Sequence, residues 1–178
     1  MKKKLLENAP KKFNSKEMFT IFLNNNLETL SEFIQKYGIN AVDKDGRNIL
    51  LNCIIEDKTE WALTIIKKFN ELDINSQGNE GFSALHFAVQ EHNLKVLDGL
   101  LKNKKIIVDI QDNWGNTPLW KAIYDQEYDE DIIIKLLEAG ADVNKQNNYG
   151  VKANEYLEET MEKVNKFIKQ KKIKILKK

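Results

Sequence analysis

The sequence predicts an all-α solenoid of stacked helix pairs. Four glycines recur at intervals of 35, 34 and 35 residues: Gly46, Gly81, Gly115 and Gly150. A leucine follows each of the first three glycines by four residues, and a small residue follows each by seven. Self-similarity at this period is typical of repeated supersecondary units, which bury their apolar faces against one another.

Each repeat begins with a turn and a short helix. A mostly polar pair precedes every glycine, which predicts a tight turn with a positive φ. Two residues after the glycine, Asn48, Ser83 and Thr117 are suitable N-caps for a first helix. Pro118 suits the first turn of such a helix.

A longer second helix follows in each repeat. Its apolar residues return at helical spacing, which predicts a stripe buried against the neighbouring repeats. The stripes comprise Trp61, Leu63, Ile65 and Ile66, then Leu94, Val96, Leu97, Leu100 and Leu101, and finally Ile132, Ile133, Leu136 and Leu137.

The two ends depart from the repeat pattern, as expected of capping units. Upstream, Ser15 to Asn24 and Leu27 to Tyr37 predict a degenerate helix pair that ends at Gly38. Downstream, the apolar spacing predicts one long amphipathic helix that seals the last repeat. Its buried face comprises Leu157, Met161, Val164 and Ile168.

These elements form one predicted domain, residues 1–178, because no linker rich in Pro, Gly or Ser interrupts the chain. The domain begins with a basic segment (1–12) and a helix pair (13–41). Three repeats follow (42–75, 76–109 and 110–144). The C-terminal cap carries a basic helical tail (145–178).

Two hexapeptides carry a family resemblance. Residues 83–88 read S-A-L-H-F-A and residues 117–122 read T-P-L-W-K-A, and both resemble the T-P-L-H-x-A motif of the ankyrin repeat. Residues 136–144 are similar to the end of an ankyrin second helix and its turn. The resemblance runs in phase from about Tyr37 to Gly150. It implies turns that form fingers, first helices that form a palm, and second helices on the convex back.

The resemblance also implies where a partner binds, because variable positions of the family concentrate on the fingers and the palm. The finger candidates are Lys44, Asp45, Arg47, Asn79, Glu80, Phe82, Asn113, Trp114, Asn116, Asn148 and Tyr149. The palm candidates are Ile55, Glu56, Gln90, Glu91, Tyr124 and Asp125.

Three aromatic residues of this set, Trp114, Tyr149 and Tyr124, are predicted anchors for a partner. An alternative interpretation packs Trp114 and Tyr149 against neighbouring turns as structural ridges. Trp61 and Trp120 lie at helix positions that face neighbours, so the sequence places both side chains in the core.

The net charge of +1 conceals an uneven distribution. Residues 1–12 carry five lysines and one glutamate, and residues 163–178 carry eight lysines and no acidic residue. The other 15 basic and 26 acidic side chains give residues 13–162 a charge of about −11. Such a field attracts basic proteins and repels phosphate backbones, which favours a basic protein partner over nucleic acid. The alternative is that the charge serves solubility alone.

The sequence predicts no enzyme activity, no metal site and no cofactor. His86 occupies the motif position at which the family's histidine is structural, and His92 lies in a turn between helices. Cys53 occupies the small-residue position, which predicts a buried thiol. The acidic run from Asp125 to Asp131 lacks the glycine and spacing of an EF-hand loop. No phosphate-binding glycine loop is present in the sequence.

A cytoplasmic location is expected. The apolar run at Leu5 and Leu6 is too short for a secretory core, and no run reaches membrane-spanning length. A single cysteine favours a reducing compartment.

The sequence therefore predicts a monomeric, non-catalytic module whose acidic concave face clamps a basic protein. The short layout and the G-N-T-P-L-W variant are similar to small bacterial ankyrin proteins, some of which are immunity proteins that neutralise a cognate toxin, such as a basic nuclease domain. An adaptor or secreted effector that binds host proteins is a second hypothesis. A third, attachment to membranes or nucleic acid, rests on the basic ends, which a capping helix with a frayed lysine tail also explains.

Overall fold

The computed structural model describes residues 10–24, 26–125 and 127–173. A 3₁₀ helix occupies Ala153–Tyr156. The α-helices of the described chain are α1 (Ser15–Asn24), α2 (Leu27–Tyr37), α3 (Ile49–Ile55), α4 (Thr59–Lys68), α5 (Ala84–Gln90), α6 (Leu94–Leu101), α7 (Pro118–Tyr124), α8 (Glu130–Glu138) and α9 (Glu162–Lys171).

Four turns separate the helix pairs and are called fingers 1 to 4: residues 43–47, 78–82, 112–116 and 147–151. Across the described ranges, β-pairing is confined to isolated bridges. Three of them close the base of a finger, and they join Val42 to Asn48, Gln77 to Ser83 and Gln146 to Lys152. The predicted all-α solenoid without an extended sheet is confirmed.

The helices stack in two rows. α3, α5, α7 and the 3₁₀ helix form the first row, in which each helix packs on the next. α4, α6, α8 and α9 form the second row in the same way. Each pair therefore buries apolar surface against the pair before it and the pair after it, which is how a solenoid gains its stability.

The repeated apolar positions form the core. Leu50, Leu85 and Leu119 of the first row are completely buried. In the second row Ile65, Leu97, Leu100, Ile133 and Leu136 are completely buried as well. The second-row residues belong to the predicted stripes, of which Leu63, Ile66, Leu94 and Leu101 are only partly buried.

The predicted caps begin the first-row helices. Asn48 Oδ1 accepts a hydrogen bond from the Leu51 N–H at 3.1 Å, and Thr117 Oγ1 accepts one from the Trp120 N–H at 3.1 Å. Pro118 is the first residue of α7, where its missing N–H has no helical partner to lose.

The N-terminal helix pair has the predicted bounds. Gly38 ends α2 with a φ of 91°, and its N–H donates to the Ile34 carbonyl at 2.8 Å. The pair joins the second row through Phe22, whose ring centroid lies 5.8 Å from that of Trp61. Trp61 is 5% exposed, which confirms its predicted place in the core.

The C-terminal cap differs from the predicted single long helix. The Lys152 N–H donates to Glu155 Oε1 at 3.3 Å and begins the 3₁₀ helix, which continues the first row. Leu157 follows with a ψ of 115°, so the helical path is broken there and α9 begins only at Glu162. The other predicted apolar residues are buried: Met161, which precedes α9, and Val164 and Ile168 within it.

Parts of both basic ends, residues 1–9 and 174–178, lie outside the described residues. Among the helices that the structure describes, none combines the length and the apolar content needed to cross a bilayer.

Candidate functional site

A side chain at the base closes three of the four fingers. Asp43 Oδ1 accepts hydrogen bonds from the N–H groups of Asp45 (2.8 Å) and Arg47 (2.9 Å). Asp112 makes the same two contacts in finger 3, and Asn147 makes them in finger 4. Such side-chain to backbone bonds fix the turn, so side chains at the tips project from a defined backbone.

An asparagine ladder joins neighbouring fingers, and it consists of Asn79, Asn113 and Asn148. The Asn79 side-chain amide donates to the Lys44 carbonyl at 3.2 Å. Asn113 donates to the Asn79 carbonyl at 2.8 Å, and Asn148 donates to the Asn113 carbonyl at 3.0 Å. The sequence predicts these asparagines as partner-binding residues, but the structure gives their amide groups a bracing role between repeats.

The finger glycines permit the ladder. Gly46, Gly81 and Gly115 have φ values of 74°, 80° and 80°. A Cβ at Gly115 would lie 2.5 Å from the Asn148 backbone nitrogen, closer than any ordinary contact. Gly150 has a similar φ of 74° but faces open space. The first three glycines are thus required by both their φ and the next finger.

Several finger candidates project into solvent. Trp114 is 42% exposed and Tyr149 is 73% exposed, while Lys44 and Glu80 are also exposed. Other candidates are partly held by the fold. Asp45 lies 3.9 Å from Arg47 Nη1, and Asn116 Oδ1 accepts a hydrogen bond from Asn147 at 2.9 Å.

A central aromatic cluster lies where the fingers meet the first row. The Phe82 ring centroid is 5.7 Å from that of Phe87 and 6.0 Å from that of Trp114. Lys121 Nζ lies 4.7 Å from the Phe82 centroid, and Arg47 Cζ lies 5.6 Å from the Phe87 centroid. These are cation–π arrangements. A cavity of about 70 Å³ opens beside both phenylalanines, between fingers 1 and 2.

The six palm candidates lie at the ends of α3, α5 and α7. Glu56, Gln90, Glu91 and Tyr124 are exposed, whereas Ile55 and Asp125 are partly buried. Asp125 Oδ2 lies 3.9 Å from His92 Nε2, so this carboxylate faces the neighbouring repeat as well as the palm.

Sequence reasoning missed one further palm position, which lies six residues after each finger glycine. It is occupied by Asn52, Phe87, Lys121 and Tyr156. The repeat pattern could have identified this position, because it occurs once in every unit. Lys121 matters for the electrostatics of the palm, because it adds a cation beside the charged palm candidates Glu56, Glu91 and Asp125, which are all acidic.

The candidate binding surface also extends further toward the N-terminus than predicted. Phe19 of α1 is 54% exposed. It lines a groove of about 540 Å³ together with finger 1 residues and with Glu56 of the palm.

Trp120 lies closer to the surface than the sequence predicts. It is only partly buried and packs against the edge of the core. Its ring stacks on that of Tyr124, with centroids 4.6 Å apart and an interplanar angle of 20°. The indole N–H is buried and has no hydrogen-bond partner within the described residues. Such a group costs about 1–3 kcal/mol.

His86 braces two repeats. Its Nδ1 lies 3.3 Å from the Ser83 amide nitrogen, and its Nε2 lies 3.0 Å from the Asn116 carbonyl oxygen. A neutral imidazole with the proton on Nε2 satisfies both bonds. Burial lowers the pKa of His86, against a smaller raising effect of the Asn116 carbonyl.

The remaining candidates for chemistry are the thiol of Cys53 and any cluster of possible metal ligands. Cys53 is completely buried, and burial raises the pKa of its thiol, so it is not a nucleophile at neutral pH. In the described ranges, no three His, Cys, Asp or Glu side chains form a set that could hold a metal ion.

Comparisons with known proteins agree with this architecture. The family model for ankyrin repeats, in three copies, matches residues 17–112 and 65–147. The chain belongs to the ankyrin-repeat family. This fold is a protein-binding module and is in general non-catalytic.

Two relatives share the repeats. A probable serine/threonine-protein kinase of Dictyostelium discoideum is 36% identical over 98 residues, which is 54% of this chain and 10% of that protein. The mouse ankyrin repeat domain-containing protein 53 is 31% identical over an alignment of 111 residues, and the match covers 51% of this chain and 22% of that protein. The chain therefore matches only a small part of each relative, and the kinase similarity concerns the repeat region.

Proposed function

We propose that the palm and fingers bind a basic protein, with aromatic side chains as anchors. The distribution of exposed rings carries this proposal. Eight large hydrophobic side chains are exposed among the described residues, and five of them are aromatic. All five lie on a finger, on the palm or in the adjoining groove: Phe19, Trp114, Tyr124, Tyr149 and Tyr156.

Exposed aromatic rings in such a concentration support binding rather than packing. Burying one against a partner removes a large apolar area from water at a low cost in side-chain entropy. Trp114 rests on Phe82 and still leaves 42% of its surface exposed. A structural ridge and a partner anchor are therefore compatible at this position.

The charges on the same surface support a basic partner. Besides the buried Asp43 and Asp112 at the finger bases, the palm and finger carboxylates are Asp45, Glu56, Glu80, Glu91 and Asp125, and the cations are Lys44, Arg47 and Lys121. Two of the three cations lie over phenylalanine rings. Among the described residues, Glu56, Glu80 and Glu91 take part in no ion pair. These carboxylates would favour a cationic partner.

The toxin-neutralising and effector roles remain hypotheses. Neither relative is described as an immunity protein or as an effector. Binding of a basic protein is common to the immunity hypothesis and to a general adaptor, so it is the part that the surface supports.

Site-specific photocrosslinking tests the proposal. Benzoylphenylalanine at position 114 or 124 probes the binding face, and the same residue in place of exposed Lys67 or Glu138 of the second row probes the opposite face. We expect positions 114 and 124 to crosslink the same basic protein in a lysate of the source organism, and the two control positions to miss it. Equal crosslinking from all four positions, or capture of an acidic protein, would contradict the proposal.

A further inference from the structure

Three aromatic rings form a platform at the C-terminal end of the palm: Trp120, Tyr124 and Tyr156. Tyr124 stacks on Trp120, one helical turn earlier in α7. The Tyr156 ring stands nearly perpendicular to both, 5.0 Å from Tyr124 and 5.9 Å from Trp120. Because Tyr156 is almost equally close to both, it lies beside the stack and does not cover the outer face of Tyr124. Tyr124 is 54% exposed.

The platform replaces an inter-repeat brace. Trp120 occupies the repeat position of His86, whose imidazole bonds to finger 3. The indole N–H of Trp120 makes no such bond within the described chain. At this position the repeat has lost a hydrogen bond and gained a rigid support for the Tyr124 ring.

The palm already places cations over aromatic rings. Arg47 lies over Phe87, and Lys121 lies over Phe82. In the described part of the chain no cation lies over Tyr124. Because Tyr124 is 54% exposed, its ring is accessible to a cation from elsewhere.

Lys121 lies between Trp120 and Tyr124 in α7, but carboxylates dominate the chain from Tyr124 onward and around Tyr156. Residues 124–131 and 153–162 together hold nine acidic residues and no lysine or arginine. Asp125 directly follows Tyr124, and its Oδ1 accepts the Glu127 N–H at 3.1 Å. Its Oδ2 is 3.9 Å from His92, beyond a hydrogen bond, so this oxygen remains able to accept one.

We propose that this platform binds an arginine side chain of the partner, stacked on Tyr124 and hydrogen-bonded to Asp125. A guanidinium is planar, stacks on aromatic rings and pairs with carboxylates, whereas the lysine ammonium is a compact and strongly hydrated charge. The inference rests on the proposed function and specifies the partner's chemistry.

Oligoarginine and oligolysine peptides of equal length test the inference, because they have the same charge and differ in the head group. Calorimetry on the full chain at physiological salt should show that oligoarginine binds about fivefold more tightly. Tyr124→Leu should remove most of this preference, and the control Ile107→Ala, at an exposed apolar residue outside the palm and fingers, should retain it. Equal affinity for the two peptides, or a preference that survives Tyr124→Leu, would overturn the inference.

Asp125→Asn gives an independent test if Tyr124→Leu lowers the melting temperature. It should weaken oligoarginine binding about threefold, because a charge-assisted hydrogen bond becomes a neutral one. Unchanged affinity would overturn the assignment of Asp125. Crosslinking of a basic protein from the palm together with equal peptide affinities would refute the arginine platform alone, whereas crosslinking that fails from the palm refutes the proposed function itself.

Discussion

At the scale of single residues, buried polar side chains bridge successive repeats. His86 is completely buried between Ser83 at the start of its own helix and Asn116 in the next finger. Both bonds suit the neutral imidazole, because Nδ1 accepts and Nε2–H donates. Protonation would convert Nδ1 from an acceptor into a donor and would place a charge in the core.

The stability of the fold should therefore depend on pH through His86. The unfolded chain binds a proton near the ordinary pKa of 6.5, whereas the folded chain lowers this pKa. The His86 contribution is complete above that pH, and the free energy of unfolding should decrease by at most about 1.4 kcal/mol per pH unit as the pH falls toward about 5. Urea unfolding across this range measures the slope. His86→Gln should flatten this slope, and a slope that is unchanged in the variant would exclude His86 as the cause.

A second prediction concerns the exposed ring of Trp114. Trp114→Ala should weaken partner binding by roughly 2 kcal/mol or more if the ring is an anchor. Leu100→Ala, at a completely buried second-row position, should instead reduce stability by about 2–5 kcal/mol through lost burial and a cavity. Affinity titration and denaturation of both variants separate the two effects. A Trp114→Ala variant with lowered stability and unchanged affinity would favour the purely structural ridge.

At the scale of elements, the fingers are coupled by backbone approach. We predict that Gly115→Ala is more destabilising than Gly150→Ala. Both positions have a positive φ, but only a Cβ at residue 115 meets the Asn148 backbone, at 2.5 Å. The difference should be about 1–3 kcal/mol, the usual cost of overpacking. Denaturant unfolding gives both values, and equal losses would mean that finger 4 shifts without cost.

The elements were predictable where local pattern decides them. The caps at Asn48 and Thr117 and the second-row stripes follow from spacing along one helix. The asparagine ladder was not predictable in this way, because each of its bonds joins residues 34 or 35 apart that meet only in the stack. The break at Leu157 likewise depends on the 3₁₀ helix packing against α7, which the apolar spacing of the segment does not reveal.

At the scale of the whole molecule, the family resemblance predicted which residues lie in the turns and at the ends of the first-row helices, and their binding role stays a prediction. The chemical character of the surface was harder to predict from the sequence. Lys121 and Tyr156 lie six residues after a finger glycine, and their roles appear only when neighbouring repeats place them beside Phe82 and Tyr124. The resulting surface is aromatic with mixed charge. Among the described residues, its carboxylates Glu56, Glu80 and Glu91 take part in no ion pair.

Charge reversal on the palm tests this picture of the molecule as an electrostatic binder. The acidic field of residues 13–162 should accelerate encounter with a basic partner, and salt should slow it, because screening shortens the field to about 8 Å at physiological ionic strength. Deletion of residues 174–178 is the control, since it removes tail lysines without changing the palm.

The most direct measurement is the rate at which the partner identified by crosslinking associates with the chain over a salt series. The unmodified chain is compared with the triple variant Glu56→Lys, Glu91→Lys, Asp125→Lys. The account predicts that the unmodified chain associates fast at low salt and slows steeply as salt rises. The triple variant should associate slowly with little salt dependence, and the tail deletion should behave like the unmodified chain. If the triple variant associates at the same rate as the unmodified chain while the tail deletion abolishes binding, the assignment of the binding site to the palm and fingers is contradicted.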